Sequence, residues 1–321
     1  MIVAASSYTA HNEPALELSR KFKVNLFEKG TNMQRNATTQ FPILLVHGLF
    51  GFDRIGGFEL FHDIKQALRI GGARVFIPYL SATHSNETRG EQLLAQIDRV
   101  LAGTGTARVN LIGHGQGALA ARYAAALAPD KVASVTSVSG PNHGSELADF
   151  LEKALTPGRL PGHVARSIAT LFADFISLLN GQPQLPSAAV AALAALTTEG
   201  VGAFNDKYPQ GLPKHWGGHG PEKVNGVRYY SWSGTLREST DAEPEPLQVF
   251  CRAFSEYFIT EAGQNDGLVG RFSSHLGKVI RSDYPMDHME AINLGIGKAR
   301  WGTDPTALYL RHAERLRKAG L

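Results

Sequence analysis

The residues Gly113-His114-Gly115-Gln116-Gly117 raise the question of chemistry, because they follow the apolar run Val109-Asn110-Leu111-Ile112 and precede a helical pattern starting at Ala118. A G-x-S-x-G pattern at a strand-to-helix turn holds a serine hydroxyl on a sharp bend, and its outer glycines let strand and helix approach closely. Gly113 and Gly117 fill the outer places, and Gly115 stands where the hydroxyl would be. A phosphate-cradling loop would need G-x-G-x-x-G spacing or a following Lys-Ser/Thr, and neither is present. With serine at 115 the chemistry would be acyl transfer: attack on a carbonyl, an oxyanion held by backbone N–H groups, and a histidine taking the proton.

The remaining parts of such a site can be sought by topology. His47-Gly48-Leu49-Phe50-Gly51 follows the apolar run Pro42 to Val46, where a turn can aim a backbone N–H over the bend. Leu49 and Gln116, the residue after the nucleophile position, are the expected oxyanion donors. Of 12 histidines, His288 follows a strand candidate at Lys278 to Arg281 and precedes a helical pattern at Met289 to Leu294. That puts it at the carboxyl end of a strand, where sites of α/β sheets lie, and makes it the expected base. His275 precedes the same strand, His62 and His312 fall on helix patterns, and the His114 side chain is expected to point away from the nucleophile side. Asp266, in the polar turn Gln264-Asn265-Asp266-Gly267, has the chain order of the acid that orients the base. Asp283 and Asp287 lie too near His288 in sequence to reach its far ring nitrogen comfortably.

Strand runs at 42–46, 74–78, 109–112 and 132–138 alternate with helical patterns at 58–70, 89–101 and 118–126, which predicts βαβ units and a mostly parallel, doubly wound sheet. Later strands are expected at 227–233 and 278–281, and a terminal helix at 305–318. Residues 1–40 are polar and irregular and read as an extension or arm preceding a single large domain over 41–321. The stretch 151–215 breaks the rhythm: Val164, Ile168, Leu171, Phe172, Phe175, Ile176 and Leu179 recur at i+3 and i+4, as in an amphipathic helix. Such a helix either packs into the core or covers an apolar cleft as a lid.

The net charge of +3, from 32 basic and 29 acidic residues without a long basic cluster, argues against nucleic acid as a partner. A single cysteine, Cys251, excludes an intrachain disulfide and a cysteine-built metal site. No run of about 18 uninterrupted apolar residues occurs, so no membrane span is expected. Residues 1–13 lack a basic segment followed by an apolar one, so export through a standard cleaved signal is not expected from what is visible.

Taken together, 42–52 (PILLVHGLFGF), 109–117 (VNLIGHGQG), 133–150 (ASVTSVSGPNHGSELADF), 204–213 (FNDKYPQGLP), 223–234 (KVNGVRYYSWSG), 265–270 (NDGLVG) and 274–293 resemble the bacterial true lipases of the Pseudomonas, Burkholderia and Proteus group. Gly113-His114-x-Gln116-Gly117 and Asn142-His143-Gly144-Ser145-Glu146 look most like the Proteus-like branch. The resemblance implies an α/β-hydrolase fold, a lid within 151–182, secretion, and action on triacylglycerols or other carboxylic esters at a lipid–water interface. It places the nucleophile at Gly115, the acid at Asp266, the base at His288 and the oxyanion donors at Leu49 and Gln116. Some relatives carry a disulfide whose cysteine would fall where this chain has Phe272. It also implies a structural calcium ion beside the histidine loop, for which Glu290 and Glu245 are the candidate carboxylates. The alternatives are a lipid- or acyl-binding protein without chemistry, or a hydrolase of polyesters or phospholipids. With every other part retained, Gly115 reads as a single inactivating replacement, of the kind engineered to trap a bound ester, rather than as drift.

Overall fold

A computed structural model of the chain describes residues 36–48, 54–55, 58–180, 189–237, 245–294 and 303–321. Leu49 and most of the expected arm lie outside them. In chain order the strands are β1 (Ile43–Val46), β2 (Arg54–Ile55), β3 (Phe58–Glu59), β4 (Val75–Phe76), β5 (Val109–His114), β6 (Val132–Val138), β7 (Lys223–Val224), β8 (Val227–Thr235) and β9 (Lys278–Pro285). The main sheet runs β4-β1-β5-β6-β8, all parallel. β9 joins β8 in parallel and β7 pairs antiparallel with the start of β8. β2 and β3 form a separate antiparallel ribbon.

Side chains alternate across a strand, and the buried runs use both faces. Ile43, Leu45, Ile112, Val138 and Trp232 pack on one face with residues of α1 (His62–Ile70) and the terminal helix α9 (Pro305–Lys318). Leu44, Val46, Val109, Leu111 and Tyr229 pack on the other with α2 (Asn86–Thr104) and α3 (Gln116–Leu127). Each such fully buried aliphatic side chain contributes roughly 1.5–3 kcal/mol relative to exposure, which fixes the register on which the site depends. This is the mostly parallel, doubly wound sheet expected from the strand–helix alternation, and the layout that the resemblance implies.

Three boundaries differ from the sequence reading. The helix expected from residue 58 begins only at His62, because Phe58–Glu59 pair with β2 and Phe61 takes a left-handed φ of 59°. The strand expected at 74–78 pairs only over Val75–Phe76, at the sheet edge beside Pro78, which has no N–H to give. The helix expected after His288 is one 3₁₀ turn, Glu290–Ile292, ended by Asn293 at φ 56°. The last residues of the expected arm are part of the folded unit: Ala37 is buried, Gln40 N–H donates to the Leu321 carbonyl at 2.7 Å, and Arg317 Nε donates to the Asn36 carbonyl at 3.2 Å.

The interrupting region builds α4 (Glu146–Leu155), α5 (Gly162–Asn180), α6 (Ala189–Ala194) and α7 (Thr198–Lys207). The expected amphipathic face is present on α5, where Ile168, Phe172, Phe175, Ile176 and Leu179 are buried. It packs against α8 (Pro246–Ser255), with Phe175 edge-on to Phe254 at 5.2 Å between ring centroids and 5.7 Å from Phe250. Among the described residues α5 is the one helix long and apolar enough to cross a membrane, by length and composition alone, with a mean hydropathy of 1.2 over Gly162–Leu179.

Candidate active site

The bend begins where β5 ends. His114 closes the strand, Gly115 turns at φ 53° and ψ −128°, and α3 starts at Gln116. That φ is left-handed and strained for any residue with a Cβ, so glycine adopts it without cost. The outer glycines are required by close approach instead: a Cβ on Gly113 would strike the Gly117 carbonyl, and one on Gly117 would strike the Val46 carbonyl. The turn is pinned by Gly115 N–H donating to the Val138 carbonyl at 3.0 Å. The Gln116 amide therefore heads a helix, where the first N–H groups have no partner within the helix and the dipole favours negative charge. The Gln116 side chain is held off to the side, its Nε2 donating to Asn86 Oδ1 and to the His84 carbonyl, both at 3.0 Å.

The structure brings the expected acid and base to this bend. His288 Nδ1 lies 2.9 Å from Asp266 Oδ2, and with an anionic acceptor there Nδ1 carries the proton and Nε2 is left as a base. A Cβ placed on Gly115 would sit 3.1 Å from that Nε2, so Nε2 faces the nucleophile position. Asp266 is fully buried, and its Oδ1 accepts N–H bonds from Leu268 at 3.1 Å and Val269 at 2.8 Å. The His288 N–H donates to the Asp266 carbonyl at 2.9 Å, so the acid and base loops are tied by backbone as well as side chain. Leu236, just past β8, donates its N–H to the Asn265 carbonyl at 2.8 Å and hangs the acid loop from the sheet.

His114 corrects the sequence reading. Its ring does not point away but packs against His288, 4.3 Å between centroids, and Nε2 donates to the His288 carbonyl at 2.9 Å. Burial, reinforced by His288, holds its pKa well below the usual imidazole range, so it is a neutral strut under the base. His275 lies away from the pair, bonded through Nδ1 to the Gly218 carbonyl at 2.9 Å, and His312 is a core residue bonded to Thr136 Oγ1 at 2.8 Å. Asp287 stays with its own turn: its Oδ1 accepts the N–H groups of Met289 and Glu290, both at 2.8 Å.

Two supports have no clear signal in the sequence. Arg89 is fully buried; its guanidinium donates to the carbonyls of Ser81, His47 and Gly48 and so shapes the loop after β1. Burial pulls its pKa down to about 10 and, together with the Arg89 charge, that of His47 down to about 4. Beneath the acid loop, the Glu146 carboxylate accepts the N–H groups of Ile259, Thr260 and Glu261 at 2.7, 2.8 and 3.1 Å. The Glu261 carboxylate in turn accepts those of Phe272 and Ser273. Burial, with Glu146 and Asp266 adding to it, pushes Glu261 up to about 7.

The site opens into a cavity of about 820 Å³, open solvent at its mouth included. Gly115, Gln116 and His288 form its polar end, and Leu151, Phe172, Phe175 and Leu179 are among its apolar walls. A cleft walled chiefly by apolar side chains, with His288 and Gln116 at one end, suits a hydrocarbon chain attached to a polar, reactive group. The fit of calcium is weaker. Among the described residues no three His, Cys, Asp or Glu side chains gather as a metal site, and Glu290 Oε2 accepts the Asp287 N–H at 2.8 Å.

Comparison with known proteins bears on the family and the fold. A family model described as alpha/beta hydrolase fold matches residues 42–291. A triacylglycerol lipase of Pseudomonas fragi is 57% identical over 293 residues, covering 90% of this chain and 100% of its own. One from Vibrio cholerae is 46% identical, covering 90% and 92%. Among solved structures, the mature Bacillus licheniformis lipase BlEst2 superimposes with a TM-score of 0.54 at 21% identity, covering 79% of this chain and 87% of that one, a likeness of fold.

Proposed function

The chain belongs to the α/β-hydrolase family, alongside bacterial triacylglycerol lipases that match it over nine-tenths of its length, and from that membership we propose that it is a carboxylic ester hydrolase of the triacylglycerol lipase kind whose nucleophile position is held by glycine. The observation that carries this reading is the His288 Nε2 facing Gly115 across 3.1 Å from the start of a side chain, with Asp266 behind it. With serine at 115, His288 takes the hydroxyl proton and the oxygen attacks the ester carbonyl. The oxyanion forms against the Gln116 and Leu49 N–H groups, and water releases the acid from the acyl-enzyme. Glycine removes the attacking atom and leaves the rest, so the chain turns over lipid esters far more slowly than its serine form.

The wider reading follows the same membership. The substrate is a lipid ester whose acyl chain lies along Leu151, Phe172 and Phe175, and α5 serves as the lid toward a lipid–water interface. The protein acts outside the cell and sits with the Proteus-like branch of its family. A calcium ion beside the histidine loop would be held by Glu245, Glu290 and backbone carbonyls, since oxygen donors suit that cation. EDTA should lower Tm and added calcium should restore it; an unchanged Tm removes the ion from this account.

The test of the function is Gly115→Ser assayed on emulsified tributyrin and triolein. The expected gain over the parent is on the order of 10⁴- to 10⁶-fold. No gain would leave a lipid-binding protein without chemistry as the reading. A gain on polyesters or phospholipids but not on triacylglycerols would keep the mechanism and replace the substrate.

A further inference from the structure

We propose that the chain with Gly115 hydrolyses activated esters in a single step, with water as nucleophile and the Asp266–His288 pair as its general base; this rests on the hydrolase reading above. The base is assembled without a serine: Nδ1 is committed to Asp266, and Nε2 faces the cavity with no hydrogen-bond partner among the described residues. The point where a side chain would begin is 3.1 Å from Nε2 and 3.8 Å from Gly48 Cα. A Cβ there would crowd the imidazole, whereas glycine leaves that approach to Nε2 open to the cavity. His288 and the helix-heading Gln116 line the same cavity, so a water hydrogen-bonded to Nε2 would share that corner with base and oxyanion donor.

The step balances without a covalent intermediate. Nε2 accepts a proton from water as the water oxygen bonds to the carbonyl carbon, and the carbonyl oxygen becomes an oxyanion against the Gln116 N–H. On collapse the bond to the alcohol oxygen breaks, and the imidazolium returns its proton to the departing alkoxide. One carboxylic acid and one alcohol leave. Water lacks the tethering that makes a serine hydroxyl effectively intramolecular, so this route is much slower than acyl transfer. Its general-base component is worth about 10²- to 10⁴-fold.

The structure separates this route from the residual rate that a bare oxyanion pocket gives. A methyl at 115 occupies the water's approach to Nε2, so Gly115→Ala should be slower than the parent although neither has a nucleophile. The experiment uses the full chain and p-nitrophenyl butyrate, with thermal melts as the folding control. Gly115→Ala and His288→Gln should each lower the parent rate by about 10²-fold, and quenched parent should show no acyl adduct by intact mass and no burst. A Gly115→Ala or His288→Gln protein as fast as the parent overturns the proposal, as does an acyl adduct on the parent. Should Gly115→Ala fail to fold, His288→Gln and the adduct measurement decide. Gly115→Ser keeps the two readings apart. A fast serine form beside a parent rate indifferent to His288 overturns only this inference, and a serine form with no gain overturns the hydrolase reading itself.

Discussion

Individual residues near the bend divide into those that touch the reacting atoms and those that hold them still. On the proposed function His288 and the Gln116 amide belong to the first group; Asp266, His114, Arg89, Glu146 and Glu261 belong to the second. Glu261 offers the sharpest prediction among the supports. Its ordinary value is 4.5 and burial raises it to about 7, so between those values the folded chain binds a proton that the unfolded chain has released. Glu261 therefore makes the fold less stable as pH rises through that window. Glu261→Gln removes this dependence, and its Tm relative to the parent should climb between pH 4.5 and 7. A Tm difference that stays flat across that range would mean Glu261 ionises no differently when folded. The residues proposed to react were legible in the sequence because each follows a strand end in the right order. Arg89 and Glu261 were not, since a charge inside a helix pattern or a loop reads as solvated until the fold shows what it bonds to.

Elements carry the geometry from sheet to site. β5 and β9 end at His114 and just before His288, and the acid loop hangs from the end of β8 through the Leu236 bond. Continuous apolar runs, buried on both faces, made the strands readable; their ends were less so, because β4 is cut short at the edge and the turn after His288 is set by Asp287 and Glu290 capping each other. The amphipathic repeat revealed α5 but not its place, since the same face suits a core helix or a lid. Here it forms the wall of the cavity that holds Phe172 and Phe175. If α5 is a lid, its amide hydrogens should exchange faster in the presence of triolein emulsion or detergent micelles, while those of β5 and β6 stay unchanged. Equal protection of α5 with and without lipid would assign it to the core.

At the scale of the whole molecule the two described ends of the chain close on each other far from the site. Leu316 and Leu321 pack with Ala133 and Tyr230, and the Leu321 carbonyl accepts the Gln40 N–H. Leu316→Ala should cost about 2–5 kcal/mol of stability, read as a lowered Tm, and leave the rate per folded molecule on p-nitrophenyl butyrate as in the parent. A changed rate at full folding would show that this closure also positions the catalytic loops. On the proposed function one position, Gly115, separates this chain from a working serine hydrolase. Phosphonate labelling followed by peptide mass spectrometry tests that most directly. Gly115→Ser should take up one phosphonyl group per chain at position 115, with loss of labelling in Gly115→Ser/His288→Ala and none in the parent. An unlabelled Gly115→Ser protein that folds as the parent does, or a label elsewhere in the chain, would contradict it.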